Sequence, residues 1–241
     1  MNNLRLKVEL GSKEWKKLIT DGAGVMGIQL SGSETDQFAL HGIELLHWTR
    51  KINLTTITDP YEIGVKHFLD SIAPVPMIPR GVSILDIGSG GGFPGIPLKI
   101  LIPSLTVTLI DASRKKVSFL KHVIRTLQLE NIDAFHIRAE DLANSPPENS
   151  DPFNRPFDVI ISRALAALDK FITLALPLLA KDGVIIALKG NVNATEIESV
   201  RLRVKKTSYR TGVNKGNFSL LVKEYVLPYL GLERSLVRLR I

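Results

Sequence analysis

A glycine-rich turn follows a short apolar run in the first half of the chain, and it constrains the fold more than any other stretch. The run Val82–Ile87 has the pattern of a buried β-strand with Asp86 near its end, and Gly88, Gly90 and Gly92 follow it. The residues after the glycines can form a helix. Glycines at such a junction let a ligand approach the amides at the helix start. The stretch therefore predicts a nucleotide-type binding turn in an α/β fold.

The residues around this turn limit which class of ligand it can bind. The third position of the dinucleotide pattern G-x-G-x-x-G/A is occupied by Phe93, whose ring is too large for tight helix-strand packing. No Lys-Ser/Thr follows, so the phosphate-binding loop of NTPases is absent. Asp111 ends the next apolar run, where an acid hydrogen-bonds ribose hydroxyls in such folds. The pattern predicts an adenosine ligand without a large phosphate group, and S-adenosylmethionine is the candidate.

Strand and helix patterns alternate after the turn, which predicts a doubly wound, mostly parallel sheet. We expect strands near 82–87, 105–110, 133–138, 157–162 and 183–188, and helices near 94–102, 113–128, 168–180 and 193–203. The segments 205–210 and 218–225 predict a C-terminal antiparallel hairpin that turns at 214–216.

Five charged residues follow successive strands of the predicted sheet. Ligands of open α/β sheets bind at the carboxyl ends of the strands, so we expect these side chains to converge on one cleft. They are Asp86, Asp111, Glu140, Arg163 and Lys189. For Glu140 or Lys189 taken alone, a solvated loop charge is the commoner explanation.

Composition limits the classes of function. The 241 residues contain no cysteine, which excludes disulfides, thiolate zinc sites and methylation of pyrimidine C5 through a cysteine adduct. The five histidines are dispersed, so no metal site is predicted. There is no secretory signal and no membrane-length apolar run, and we expect a cytoplasmic protein without a membrane partner. The net charge of +7 favours a polyanion such as RNA, although it can also serve solubility alone.

Several motifs in order resemble one known family. They are Asn53-Leu-Thr-Thr-Ile57, His67-Phe-Leu-Asp-Ser71, Asp86-Ile-Gly-Ser-Gly-Gly-Gly-Phe-Pro-Gly-Ile-Pro97, Ala139-Glu140 and Ser162-Arg-Ala164. Over about residues 34–241 the chain resembles the RsmG family, also called glucose-inhibited division protein B, whose members methylate guanine N7 in bacterial small-subunit rRNA. The resemblance implies a class I S-adenosylmethionine-dependent methyltransferase fold. On this basis we expect a helical extension over 1–79 and a methyltransferase domain over 80–241.

The resemblance also implies site residues. The family's cofactor contacts fall on Gly88, Phe93, Ala139, Glu140 and Arg163. The turn and fold arguments add Asp86, Gly90 and Asp111 as cofactor-binding residues. Asn53, Arg50, Lys51 and Lys189 are predicted RNA contacts. No catalytic residue is assigned.

The predicted reaction is methyl transfer from S-adenosylmethionine to guanine N7 of 16S rRNA, in free RNA or in the small ribosomal subunit, by a monomer. Two alternatives stay open. A small-molecule methyltransferase would share the cofactor turn but would have a closed apolar acceptor pocket. A ribosome-assembly protein without activity would bind RNA alone. A dinucleotide oxidoreductase is a poorer match because of Phe93.

Overall fold

A seven-stranded sheet forms the centre of the protein. The computed structural model describes residues 8–144, 152–163, 167–211 and 218–241. The strand order is β3-β2-β1-β4-β5-β7-β6; the first five strands are parallel, and β7 runs antiparallel to both of its neighbours. The strands are β1 (Ser83–Ile87), β2 (Thr106–Asp111), β3 (Ile132–His136), β4 (Phe157–Arg163), β5 (Leu179–Lys189), β6 (Ser219–Leu227) and β7 (Leu232–Arg240). The predicted doubly wound, mostly parallel sheet is confirmed.

Helices cover both faces of the sheet and form the extension before it. The extension holds α1 (Lys13–Val25), α2 (Gly32–Thr49), α3 (Pro60–Ile63), a π-helical segment (Gly64–Leu69), α4 (Asp70–Ile72) and a 3₁₀ turn (Val75–Met77). The later helices are α5 (Gly95–Leu101), α6 (Arg114–Thr126), α7 (Ala139–Asn144), α8 (Leu168–Ala175), a 3₁₀ turn (Leu176–Leu178) and α9 (Ala194–Thr211). None of the helices in the described ranges is long and apolar enough to cross a bilayer.

Two apolar clusters fill the space between the sheet and its helices. Neighbouring residues of a strand point to opposite faces, so Ile84 packs in one cluster and Leu85 in the other. The first cluster receives α5, α6 and the extension, whereas the second receives α7, α8 and α9. The burial of both faces explains why Ile84, Leu85 and Ile87 of β1 are apolar on both sides of the strand.

The N-terminal extension is held against the sheet by aromatic side chains. Trp15 is fully buried, and its indole Nε1 donates to the carbonyl oxygen of Pro60 at 2.9 Å. Phe68 stacks on Phe38 with ring centroids 5.0 Å apart and meets Phe93 of the glycine turn edge to face at 5.3 Å. The predicted helical extension is thus confirmed, and its interior is continuous with the core on one face of the sheet. The domain boundary at 79 remains a prediction.

The C-terminal hairpin is present, but its predicted position was wrong. Residues 205–211 continue α9, and the hairpin pairs β6 with β7 around a turn in which Tyr229 and Gly231 have positive φ. The helix extends because Val200 and Val204, one turn apart, are buried in the cluster against α8. The predicted turn at 214–216 lies outside the described residues, as does Ala164 of the Ser162-Arg-Ala164 motif.

Candidate functional site

The glycine turn joins β1 to α5 in a backbone conformation that needs glycine. Gly88 and Gly90 have φ of +75° and +56°, a region that L side chains rarely adopt. The Gly88 amide donates to the Ile110 carbonyl at 2.9 Å, which fastens the turn to β2. The Gly90 amide donates to Oδ2 of Asp111 at 3.0 Å, and Oδ1 of the same carboxylate accepts from Ser113 at 2.8 Å. Asp111 therefore fixes the turn and the start of α6 together.

An open cleft of about 450 Å³ lies at the carboxyl ends of β1, β2 and β3. A Cβ built on Gly88 would meet no protein atom within 4 Å, so this glycine borders free space. The lining residues are Ile87, Gly88, Ile110, Asp111, Ala112, Ile137, Ala139, Glu140, Lys170 and Leu174. Four of the predicted cofactor residues, Gly88, Asp111, Ala139 and Glu140, thus meet at one cleft.

The chemistry of this cleft suits a nucleoside. Isoleucine and leucine side chains form apolar walls on which a flat base can pack, and Asp111 and Glu140 supply acceptors for hydroxyl groups. Glu140 lies in the first turn of α7, where its own backbone amide and the ammonium of Lys170, 3.1 Å away, lower its pKa. Among the described lining residues, Lys170 is the single cation, and it is paired with Glu140. The site therefore offers little to a polyphosphate.

Asp86 lies beneath the turn and not on the wall of the cleft. Its side chain is fully buried, and Oδ2 accepts from the Gly95 amide at 2.9 Å, at the start of α5. Burial raises the pKa of Asp86 to about 7, although the Gly95 hydrogen bond and the nearby Arg163 cation oppose the rise. Its Oδ1 has no hydrogen-bond partner among the described residues. The position fits a support for the turn, so its predicted cofactor role would be indirect.

Phe93 packs between two histidines. Its ring stacks on His41 at 4.7 Å and on His67 at 4.8 Å between centroids, and the Arg163 guanidinium lies 5.0 Å from its centroid. Only 4% of Phe93 is exposed. The ring is therefore a core element of the turn, and any cofactor contact by this residue falls to its backbone.

The two histidines beside Phe93 are neutral. His41 hydrogen-bonds the Gly91 carbonyl through Nε2 at 2.8 Å, and burial lowers its pKa to about 4. Burial, followed by the charge of Arg163, lowers the pKa of His67 to about 3. Uncharged imidazoles can stack on Phe93 without a desolvated charge.

Arg163 ends β4 on the other side of the turn, where it faces the helical extension. Nη1 donates to the Lys66 carbonyl at 2.8 Å, and Nη2 donates to Nδ1 of His67 at 3.1 Å. The carboxylate of Asp70 lies 3.6 Å from Nη1. Burial lowers the pKa of Arg163 and Asp70 raises it, so the group remains a cation. This predicted cofactor residue is not on the wall of the cleft.

The predicted RNA contacts fall at two places. Arg50, Lys51 and Asn53 are exposed in the segment that follows α2. Lys189 ends β5, but its ammonium is paired with the Glu196 carboxylate of α9. Lys189 is therefore less available to a phosphate than the other two cations.

Sequence reasoning missed several contributors to the site. Lys170 and Leu174 reach the cleft from one face of α8, and Tyr225 and Arg234 of the hairpin meet the buried Asp70. Tyr225 and Asp70 are 155 residues apart in sequence, and no local pattern links them. The described residues hold no cluster of three or more His, Asp or Glu side chains that could bind a metal.

Comparisons with known proteins agree on family and fold. The family model "GidB: rRNA small subunit methyltransferase G" matches residues 35–215. The ribosomal RNA small subunit methyltransferase G of Geobacter sp. (strain M21) is 40% identical over 92% of this chain and 95% of its own length. That of Geobacter metallireducens is 40% identical over 93% and 96%. The crystal structure of the O-methyltransferase from Bacillus cereus in complex with SAH covers 95% of this chain and 99% of its own, with a TM-score of 0.57 and 17% identity.

Proposed function

This chain belongs to the GidB family of rRNA small subunit methyltransferase G, and from that premise we propose that it methylates N7 of a guanine in 16S rRNA with S-adenosylmethionine. The observation that carries the proposal is the glycine turn beside an open cleft with two acids at the edge of a methyltransferase sheet. The family match supports the RNA substrate. The geometry supports the cofactor.

The residues present fit S-adenosylmethionine. The open space beside Gly88 accommodates a ligand against the backbone, and Asp111 and Glu140 would accept hydrogen bonds from its hydroxyl groups. Ile110 and Ile137 would hold the adenine on apolar walls. When bound, the cofactor supplies an electrophilic methyl group on a sulfonium. Arg163 lies on the β4 side of the turn, where the rest of the cofactor and the target base would meet.

The chemistry of guanine N7, the proposed methyl acceptor, explains why no general base is assigned. Guanine N7 carries a lone pair and no proton, so methyl transfer to it requires alignment and exclusion of water but no proton removal. The buried His41 and His67 agree with this scheme, because their low pKa values do not suit a general base at neutral pH. In addition, the Nε2 of His41 is occupied by its hydrogen bond to the Gly91 carbonyl. The protein would act by holding base and cofactor in line.

The surface supports a polyanionic substrate. Arg50, Lys51 and Asn53 are exposed after α2, a helix whose Trp48 and Glu44 contact His122 of α6. Cations there would bind phosphates of the RNA and release their counterions. We further propose that the protein works as a cytoplasmic monomer on the small ribosomal subunit or its rRNA, without a membrane partner.

The decisive experiment uses subunits that lack the modification. Small ribosomal subunits from a strain without this protein are incubated with the purified chain and S-adenosylmethionine labelled in its methyl group, and the rRNA is digested to nucleosides. We expect label in N7-methylguanosine. Label in another nucleoside would contradict methylation at guanine N7 but would still support rRNA as the substrate.

The two alternatives predict other outcomes. A small-molecule methyltransferase would bind the cofactor and leave the rRNA unlabelled, with no salt-sensitive affinity for subunits. An assembly protein without activity would bind subunits with salt sensitivity and transfer no methyl group. Failure to bind S-adenosylmethionine would contradict the assignment of the glycine turn itself.

A further inference from the structure

Three side chains form a hydrogen-bonded link from the loop after α2 to the end of β4. Oγ1 of Thr55 lies 2.9 Å from Nε2 of His67, and Nδ1 of His67 lies 3.1 Å from Nη2 of Arg163. Oγ1 of Thr55 also accepts from the amide of Ile57 at 3.0 Å, which fixes the hydroxyl within its own loop. The link joins residues that are 12 and 96 positions apart in sequence.

The chemistry of the partners sets the proton positions along this link. A guanidinium only donates, so Nδ1 of His67 must accept from Arg163. The proton of the neutral imidazole then resides on Nε2 and is donated to Thr55. Burial and the Arg163 charge keep the ring uncharged at neutral pH. A protonated ring would have no acceptor for Arg163, so the link exists in one protonation state.

Neighbouring contacts hold the link rigid. His67 stacks on Phe93 of the glycine turn and belongs to the π-helical segment Gly64–Leu69. The carbonyl of the preceding residue, Lys66, accepts from the other terminal nitrogen of Arg163 at 2.8 Å. Two consecutive residues of one segment therefore fix both arms of the guanidinium. Movement of the segment would move Arg163.

We propose that His67 is a positioning residue that couples the Asn53–Ile57 loop to Arg163, so that RNA on the loop and cofactor at the turn strengthen each other's binding. The inference rests on the proposed function, because it places RNA at one end of the link and S-adenosylmethionine at the other. His67 touches neither of them in this scheme. Thr55 is the member of the link that can be altered with least effect on the core, since it is only partly buried.

Thermodynamic linkage gives the proposal a measurable form. If RNA tightens cofactor binding, the cofactor tightens RNA binding by the same factor. Binding of labelled S-adenosylhomocysteine is measured with and without saturating small subunits from a strain lacking this protein. For the native chain we expect affinity to rise about fivefold or more when subunits are present.

Substitutions at Thr55 test the link itself. Thr55→Val keeps the branched shape and removes the acceptor, so the subunit-dependent rise should fall to less than about twofold while affinity without subunits stays within about twofold. Thr55→Ser restores an acceptor and should restore the rise. Thr20→Val is the matched control, because it removes an exposed hydroxyl that donates to the Lys16 carbonyl one helical turn away in α1. It should retain the full rise.

The substitution His67→Asn provides a second test. The asparagine Oδ1 can replace Nδ1 of the histidine as the acceptor for Arg163, but the asparagine side chain cannot reach Thr55. Its loss of coupling should equal that of Thr55→Val, and the double variant should lose no more than either alone. The proposal is overturned if Thr55→Val keeps the rise, or if native protein that methylates subunits shows no rise. If the native protein transfers no methyl group, that result would instead contradict the proposed function.

Discussion

The phenolic hydroxyl of Tyr225 donates to Oδ1 of Asp70 at 2.7 Å and so joins the C-terminal hairpin to the helical extension. Asp70 is only 5% exposed, and Arg163 and Arg234 lie 3.6 and 3.7 Å from its two oxygens. Burial and the adjacent carboxylate raise the pKa of Tyr225, so the hydroxyl remains a donor across the ordinary pH range. One buried acid therefore organises α4, β4 and both strands of the hairpin.

Tyr225→Phe should destabilise the fold. The variant leaves one oxygen of a buried carboxylate without its hydroxyl donor, and a hydrogen bond to a charged group contributes about 2 kcal/mol. Urea unfolding would measure the loss. Tyr229→Phe is the control, because its hydroxyl donates to the neutral Leu18 carbonyl at 3.0 Å from a residue that is 47% exposed. Equal losses in the two variants would contradict the role of Asp70.

Gly88→Ala should weaken cofactor binding strongly while the fold loses little stability. The added methyl would meet no protein atom within 4 Å, so the cost to stability is the backbone strain at φ +75°, about 1 kcal/mol. The methyl would occupy the open cleft, and S-adenosylhomocysteine affinity, measured by calorimetry, should fall at least tenfold. Gly27→Ala at φ +76° also has nothing within 4 Å and carries the same strain outside the cleft. Its affinity should stay native, and a tenfold loss there would refute the assignment.

Asp86→Asn should change how stability depends on pH. Because the pKa of Asp86 is raised from 3.8 to about 7, the folded state holds this proton more tightly than the unfolded state. The resulting stability is complete below about pH 4 and is lost as pH rises to about 7, at about 1.4 kcal/mol per pH unit. Asparagine has no such proton.

Urea unfolding from pH 5 to pH 8 checks this dependence. The stability of the native chain relative to Asp86→Asn should fall by about 2 kcal/mol between pH 5 and pH 7 and then level off. Taking the difference between the two proteins cancels the other titrating groups. Parallel stability curves across the range would show that Asp86 is ionised throughout.

Removing Arg50 and Lys51 should weaken subunit binding in a salt-dependent way. Both side chains are exposed, so alanine at the two positions should leave thermal stability unchanged. If each neutralises one phosphate, the slope of log affinity against log salt should become shallower by about 1 to 2. The control replaces Arg80 and Lys181 with alanine. These two exposed cations lie near the amino ends of β1 and β5, whereas the cleft lies at the carboxyl ends of the strands. A similar change in slope for both pairs would indicate a general charge effect.

The sequence predicted the parallel strands well because each is a short apolar run between turns. β1, β2 and β4 match their expected bounds within one residue, and the glycine turn lies where expected. Helix ends were predicted less well. The expected helix over 168–180 stops at Ala175, because β5 begins at Leu179. The helix expected over 193–203 continues to Thr211 as α9, and its Val204 is buried in the cluster that also holds α8. Tertiary packing decides such ends.

The candidate site divides in the same way. Parallel strands bring their carboxyl ends together, which predicts one cleft lined by the five charged residues Asp86, Asp111, Glu140, Arg163 and Lys189. Asp111 and Glu140 line the cleft, but Asp86 lies beneath the turn, Arg163 faces the helical extension and Lys189 pairs with Glu196. The side chains around Phe93 could not be predicted from the sequence. His41, His67 and Arg163 reach that ring from three separate elements, and each position taken alone reads as an ordinary helix or strand residue. Such clusters depend on packing between distant segments and leave no periodic signal.

The position of β7 has a consequence for how the protein is made. Of the seven strands, β7 is the last to leave the ribosome, yet it lies inside the sheet between β5 and β6. A nascent chain that lacks it exposes two unpaired strand edges and a buried acid without Arg234. Closure of the sheet therefore follows synthesis of residues 232–240, and shorter translation products are left open to proteases and aggregation.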